Sequence, residues 1–159
     1  FNAFDQHSPN LLCFSFRRVH YGPLVEKTML LSSDQEGDVD WNPLAVKYSG
    51  KMFYLRICRR KKSSSWMFNV VAQLQPAGCR RFVTRISVLP PAGEAEDRCR
   101  GATGPPCSLL VRDEVVEMQG DCLIITEQSM QGIMAPCSKK QGRTFRVRLE
   151  IELKEVTPA

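Results

Sequence analysis

The chain has 159 residues, 43% of them apolar and 25% charged, with a formal net charge of +5. That length and balance suit one globular domain that buries a core without staples, and they exclude a disordered chain. No apolar run approaches the ~18 residues that a membrane-spanning helix needs, so a membrane is not an expected partner.

The positive charge is scattered over Arg17-Arg18, Arg59 to Lys62, Arg80-Arg81 and Lys139-Lys140, without the interleaved aromatic residues of a base-stacking surface. Nucleic acid is therefore not an expected partner either. The chain begins at Phe1 rather than at Met and reads as a fragment of a longer protein. Its cysteines (Cys13, Cys58, Cys79, Cys99, Cys107, Cys122, Cys137) are irregularly spaced, form no Cys-x-x-Cys pair and have only His7 and His20 beside them. A zinc site within the chain has no support in that pattern, and no cofactor is expected here. Reduced thiols packed as small hydrophobes are the favoured reading, with a Cys99–Cys107 disulfide as the alternative.

Taken in order, residues 1–10 read as a linker and 11–156 as the domain. Leu11 to Phe16 is a short apolar run, predicted as a first strand, and Val25 to Leu31 as a second. The polar stretch Ser32 to Asp38 leads into Val39 to Tyr48, where Pro43 removes a ladder donor and so predicts a sheet edge or a bulge. Ser49-Gly50 is a tight turn. Met52 to Cys58 and Trp66 to Leu74 form a hairpin of two central strands, with the solvated basic tip Arg59 to Ser65 between them.

Gln75 to Gly78 turns the chain into a strand over Arg81 to Leu89, with Phe82, Thr84, Ile86 and Val88 on one side. Ala92 to Pro106 lacks large apolar residues and is predicted as a surface loop. Asp113 to Met118 suits one or two helical turns, and Cys122 to Ile125 a buried strand. Thr126 to Gly142 reads as loop, with Met130, Ile133 and Met134 able to pack on the core. In Thr144 to Lys154, Phe145, Val147, Leu149, Ile151 and Leu153 alternate with charged residues and face inward. About eight strands with hairpin-scale connections imply an all-β antiparallel sandwich.

Enzyme constellations are thin. There is no phosphate loop, no nucleophile elbow and no His-Glu-x-x-His helix, and no carboxylate is placed to orient a Cys13–His20 pair. No catalysis is expected of this domain, which reads as a binding module. Val39-Asp40-Trp41 is its sharpest clue, because an indole beside an unpaired strand edge is how extended peptides are captured by strand addition. A Trp on a strand is more often a core plug, so both roles stay open for Trp41.

Gly37-Asp38-Val39-Asp40-Trp41, the hairpin strand Trp66 to Leu74, and Asp121-Cys122-Leu123-Ile124-Ile125 before the alternating last strand resemble, in that order, the substrate-binding domain of the seven-in-absentia ubiquitin ligases. The resemblance runs from about His7 onward, and the Ala92 to Cys107 loop departs from it. It implies a TRAF-like sandwich that follows a RING domain and zinc fingers and recruits target or adaptor proteins by binding an extended Val-x-Pro peptide. Val39, Asp40 and Trp41 fall in the family's peptide-contact run, and Leu11 and Cys13 fall near its contacts on the first strand. Pro43 stands where the family has Met. His7 resembles the end of a preceding zinc finger, so zinc is expected in earlier domains of the parent protein rather than in this fragment. A homodimer and a cytoplasmic or nuclear setting are also expected. Some relatives are cysteine- and histidine-rich proteins with a diverged RING, and in such a protein the domain would instead be a structural or dimerising module.

Overall fold

The computed structural model describes residues 18–32, 37–91, 99–110, 122–136 and 144–156. Its strands are β1 (Val19–Tyr21), β2 (Leu24–Ser32), β3 (Val39–Asp40), β4 (Leu44–Tyr48), β5 (Lys51–Arg60), β6 (Ser65–Ala72), β7 (Phe82–Leu89), β8 (Arg100–Gly104), β9 (Cys107–Ser108), β10 (Leu123–Thr126), β11 (Ala135–Pro136) and β12 (Thr144–Glu155). Two short helices, α1 (Pro76–Cys79) and α2 (Glu127–Ile133), complete the described elements.

The strands form two sheets, of seven and five strands, stacked as an all-β sandwich. In the first, the order is β1-β4-β5-β6-β10, with β3 also on β5 and β9 also on β6. In the second, β12 is central, with β2 along one side, β7 and β11 along the other, and β8 outside β7. Twelve strands among the described residues exceed the expected eight because β1, β3, β9 and β11 are only two or three residues long. The antiparallel expectation holds for every pair except β1 with β4 and β6 with β9, which are parallel.

The core between the sheets follows period-two alternation. Phe53, Leu55 and Ile57 of β5 and Trp66, Phe68, Val70 and Ala72 of β6 meet Phe82, Ile86 and Val88 of β7 and Val147, Leu149, Ile151 and Leu153 of β12. The Phe53 and Phe82 rings meet edge to face at 5.1 Å. Both hairpin strands are central, and every residue of β6 is buried. Ser49 and Gly50, at φ 53° and 73°, make the two-residue turn between Tyr48 and Lys51 in the left-handed conformation that matches the twist of a hairpin.

β8, α2, β10 and β11 depart from the sequence reading, and β1 and β9 lie where it placed no strand, while the predicted strand over Leu11 to Phe16 and helical turns over Asp113 to Met118 lie outside the described residues. The predicted loop over Ala92 to Pro106 contains β8, which pairs with β7 from Thr84 opposite Gly104 to Val88 opposite Arg100. An edge strand needs only backbone partners, and Gly101 fits because a Cβ there would stand 3.1 Å from the Ile86 carbonyl oxygen. The predicted loop after Thr126 opens with α2, which buries Met130 and Ile133 as the packing expectation required. On β10 only Leu123 and Ile125 face the core, while Ile124 is 59% exposed, so the strand alternates instead of being buried throughout.

A candidate peptide-binding margin

The edge of the first sheet near Trp41 is built by an interruption. Trp41 N–H donates to the Ile57 carbonyl (3.0 Å), and Leu44 next pairs with Leu55. Asn42 and Pro43 therefore stand opposite the single residue Arg56, which is a β-bulge at the position where Pro removes a donor. The bulge divides the flank of β5. On one side β4 pairs with β5 over Leu44 to Tyr48, and its outer edge is taken by β1. On the other side β3 pairs with β5 through Val39 opposite Arg59 and Asp40 opposite Cys58, and among the described residues its outer edge has no strand beside it. Because backbone groups alternate along a strand and those of Trp41 point inward, the N–H and C=O of Asp40 point to that open margin.

The Trp41 ring is half-buried. One face stacks on the fully buried Trp66 ring, with centroids 4.9 Å apart and planes 13° from parallel. Trp66 is held in turn by Glu127: its indole N–H donates to Oε2 at 2.8 Å. Arg59 donates to both oxygens of the same carboxylate, from Nε at 3.1 Å and from the terminal nitrogen at 3.0 Å, and its guanidinium lies 5.7 Å from the Trp66 ring centroid. Glu127 opens α2, where the Thr126 hydroxyl accepts from Ser129 N–H, so the helix start favours the negative charge. Its own N–H donates to the Ser64 carbonyl at the hairpin tip.

The tip also fastens the start of β3. Asp38 accepts the Lys61 backbone N–H at 3.0 Å, and Asp40 pairs with Arg60 at 3.3 Å. Gly37, at φ 89°, supplies the left-handed step into this segment. On the face of β5 away from the core, burial pushes the Cys58 thiol up to about 12, opposed by Arg56 and reinforced by Asp40, so the thiol stays protonated at neutral pH.

The residues picked out in the sequence separate as follows. Val39, Asp40 and Trp41 share one edge, where Val39 is buried, Asp40 exposed and Trp41 intermediate. Pro43 is buried and shapes the edge through the bulge. Leu11, Cys13 and His7 lie outside the described residues. Cys99 and Cys107 are both thiols, so the alternative disulfide is not formed. Among the described residues no group of three His, Cys, Asp or Glu side chains is placed to hold a metal ion, and no helix is long and apolar enough to cross a membrane.

Arg59 and Glu127 were not marked as site residues by sequence reasoning. A local signal existed, since Thr126 followed by Glu127, with Met130, Ile133 and Met134 at helical spacing, is the pattern of a capped amphipathic turn. Its pairing with Arg59, a partner far away in sequence, has no such signal. No protein-family model and no curated protein matches the chain.

Proposed function

We propose that this domain recognises targets or adaptors for a RING-type ubiquitin ligase, adding an extended peptide segment as a strand along the β3 margin beside Trp41. The observation that carries the reading is the open outer edge of β3 next to a half-buried indole. Strand addition needs backbone groups that point outward and an apolar surface for the side chains that alternate along the guest. Asp40 offers the first and Trp41 the second, while Val39 stays buried beneath the edge. The Gly37-Asp38-Val39-Asp40-Trp41 run and its resemblance to the seven-in-absentia domain support an extended peptide segment as the guest, with Pro43 in place of the Met that the family's Val-x-Pro site carries. Within this reading the domain performs no catalysis, zinc belongs to earlier domains of the parent protein, and the setting is cytoplasmic or nuclear.

Titration of the domain with a Val-x-Pro peptide tests it. Trp41→Ala is expected to weaken binding by at least ~2 kcal/mol, roughly thirtyfold, while circular dichroism reports an intact sandwich. Unchanged affinity in a folded variant removes the indole from the site. The burial of Val39 and Pro43 favours a second reading, a structural domain that dimerises or holds its neighbours. The peptide titration distinguishes the two, since that role requires no peptide affinity whether or not the domain sediments as a dimer.

A further inference from the structure

Along the side of β6 opposite to β5, two short strands begin almost at one point and run apart. In β9, Cys107 stands opposite Val71 and the strand runs parallel to β6; in β10, Leu123 stands opposite Phe68 and the strand runs antiparallel. The register places Cys122, one residue before Leu123, beside Asn69. Cys107 and Cys122 therefore occupy one lane, separated by the single β6 position Val70. Two strand steps put their Cα atoms about 6.6 Å apart, near the upper end of the ~4.4–6.8 Å that a disulfide spans, so closing the bond requires the two strand starts to draw together until the Cβ atoms reach ~3.5–4.5 Å.

Both side chains also point the same way. Leu123 and Phe68 face the main core, so Cys122 faces the opposite side of the sheet, where Val71 lies. Cys107 belongs to the second apolar cluster on that side, with Ala45, Tyr54, Val71 and Leu109, and Cys122 packs against the same cluster. Cys107 is buried and Cys122 partly exposed, and both are thiols here. From this juxtaposition we infer that Cys107 and Cys122 form a reversible disulfide that staples the diverging starts of β9 and β10 to one point beside β6.

Glutathione disulfide is a sufficient oxidant. The more accessible Cys122 sulfur attacks one of its sulfurs, the S–S bond breaks and one glutathione thiolate leaves. The Cys107 sulfur then attacks Cys122 and displaces the second glutathione. Two electrons pass from the protein to the oxidant, and the two thiol protons go to the glutathione products. Other described cysteines are less suited to the exchange. Cys58 lies on β5 opposite Met67, Cys79 ends α1 within the main core, and Cys99 lies before β8 in the other sheet. The staple lies on the far side of β6 from the β3 margin and does not depend on the peptide reading.

The test is equilibration of the whole chain with oxidised and reduced glutathione at pH 8, followed by intact-mass measurement and peptide mapping without reduction. The expected product is about 2 Da lighter than the reduced chain, joins the peptides that carry Cys107 and Cys122, and reverts with dithiothreitol. Closing the 108–121 segment is expected to raise the melting temperature by roughly 5–10 °C. Cys107→Ser and Cys122→Ser are each expected to lose both the bond and the temperature shift, and Cys99→Ser to keep both. A different pairing, glutathione adducts without the 2 Da loss, or no reaction overturns the inference, and a mapped bond without a temperature shift overturns the stapling role.

Discussion

The two halves of the flank of β5 differ in how they are held. Over Leu44 to Tyr48 the neighbour is a regular ladder of five paired residues, closed on its far side by β1. Over Val39 to Asp40 it is two paired residues and the Trp41 hydrogen bond, fixed from beneath by a stacked indole and from the end by Asp38 and Asp40 at the basic tip. Closed ladder on one half, side-chain ties on the other: a sheet keeps an edge open without letting it fray when side chains replace the missing strand. This division also makes the two halves separately breakable.

The largest effect should come from the indole beneath the open half. Trp66 is fully buried, stacks on Trp41 and donates to Glu127, so Trp66→Ala is expected to cost about 3–5 kcal/mol in a urea titration. Amide exchange should then show protection lost first over Val39 to Trp41 and last over Leu44 to Tyr48. Equal loss on both halves would show that they are one unit. Next comes Glu127→Ala, which leaves the Arg59 guanidinium and the Trp66 indole N–H without their acceptor, at about 2–3 kcal/mol. Glu127→Gln keeps part of the hydrogen bonding and should fall between the two. If both variants are as stable as the parent, the carboxylate does not hold the indole.

Smaller again is Asp40→Ala. The 3.3 Å pair with Arg60 lies near the surface and contributes under ~1 kcal/mol, so the global midpoint should hardly move. Local exchange at residues 38–41 should nevertheless quicken, because the start of β3 then depends on Asp38 alone for its side-chain tie to the tip. A shifted midpoint without local loosening would show that Asp40 stabilises the whole sandwich rather than the margin.

How far this contrast was legible in the sequence depends on the range of the interactions involved. The β5–β6 hairpin declares itself as two apolar runs around a basic tip, buried on both faces, and β7 and β12 declare themselves through period-two burial, because all of these signals are local in sequence. Pro43 announced an edge or a bulge, and the structure has a bulge at an edge, since a missing N–H is a local fact. The strands β1, β8 and β9 were not legible: they are short, carry few apolar residues and exist because a partner elsewhere offers backbone groups. The same limit applies to the site. Val39, Asp40 and Trp41 were found as a contiguous run, whereas the Arg59–Glu127 pair unites two segments 68 residues apart through side-chain geometry alone.

The closed half has its own, smaller point of weakness in His20, opposite Val46 where β1 covers β4. Its Nε2 is buried without a hydrogen-bond partner, and burial first, then Lys27 and Arg18, hold the imidazole below its ordinary value of 6.5. Below that value the unfolded chain binds a proton more readily than the folded one, so stability rises with pH through this interval. The neutral ring's contribution is complete above pH 6.5 and is lost as pH falls through the folded-state value. Carboxylates titrate over part of the same range, so the contribution is isolated by comparing urea midpoints at pH 7.5 and 5.5 for the parent and His20→Gln. The parent should lose more stability on acidification than the variant, and protection should fall in β4 while β3 stays unchanged. Equal losses in the two proteins would remove His20 as the cause. Loosening of β3 along with β4 would show that the bulge at Asn42-Pro43 does not insulate the open margin from the covered ladder.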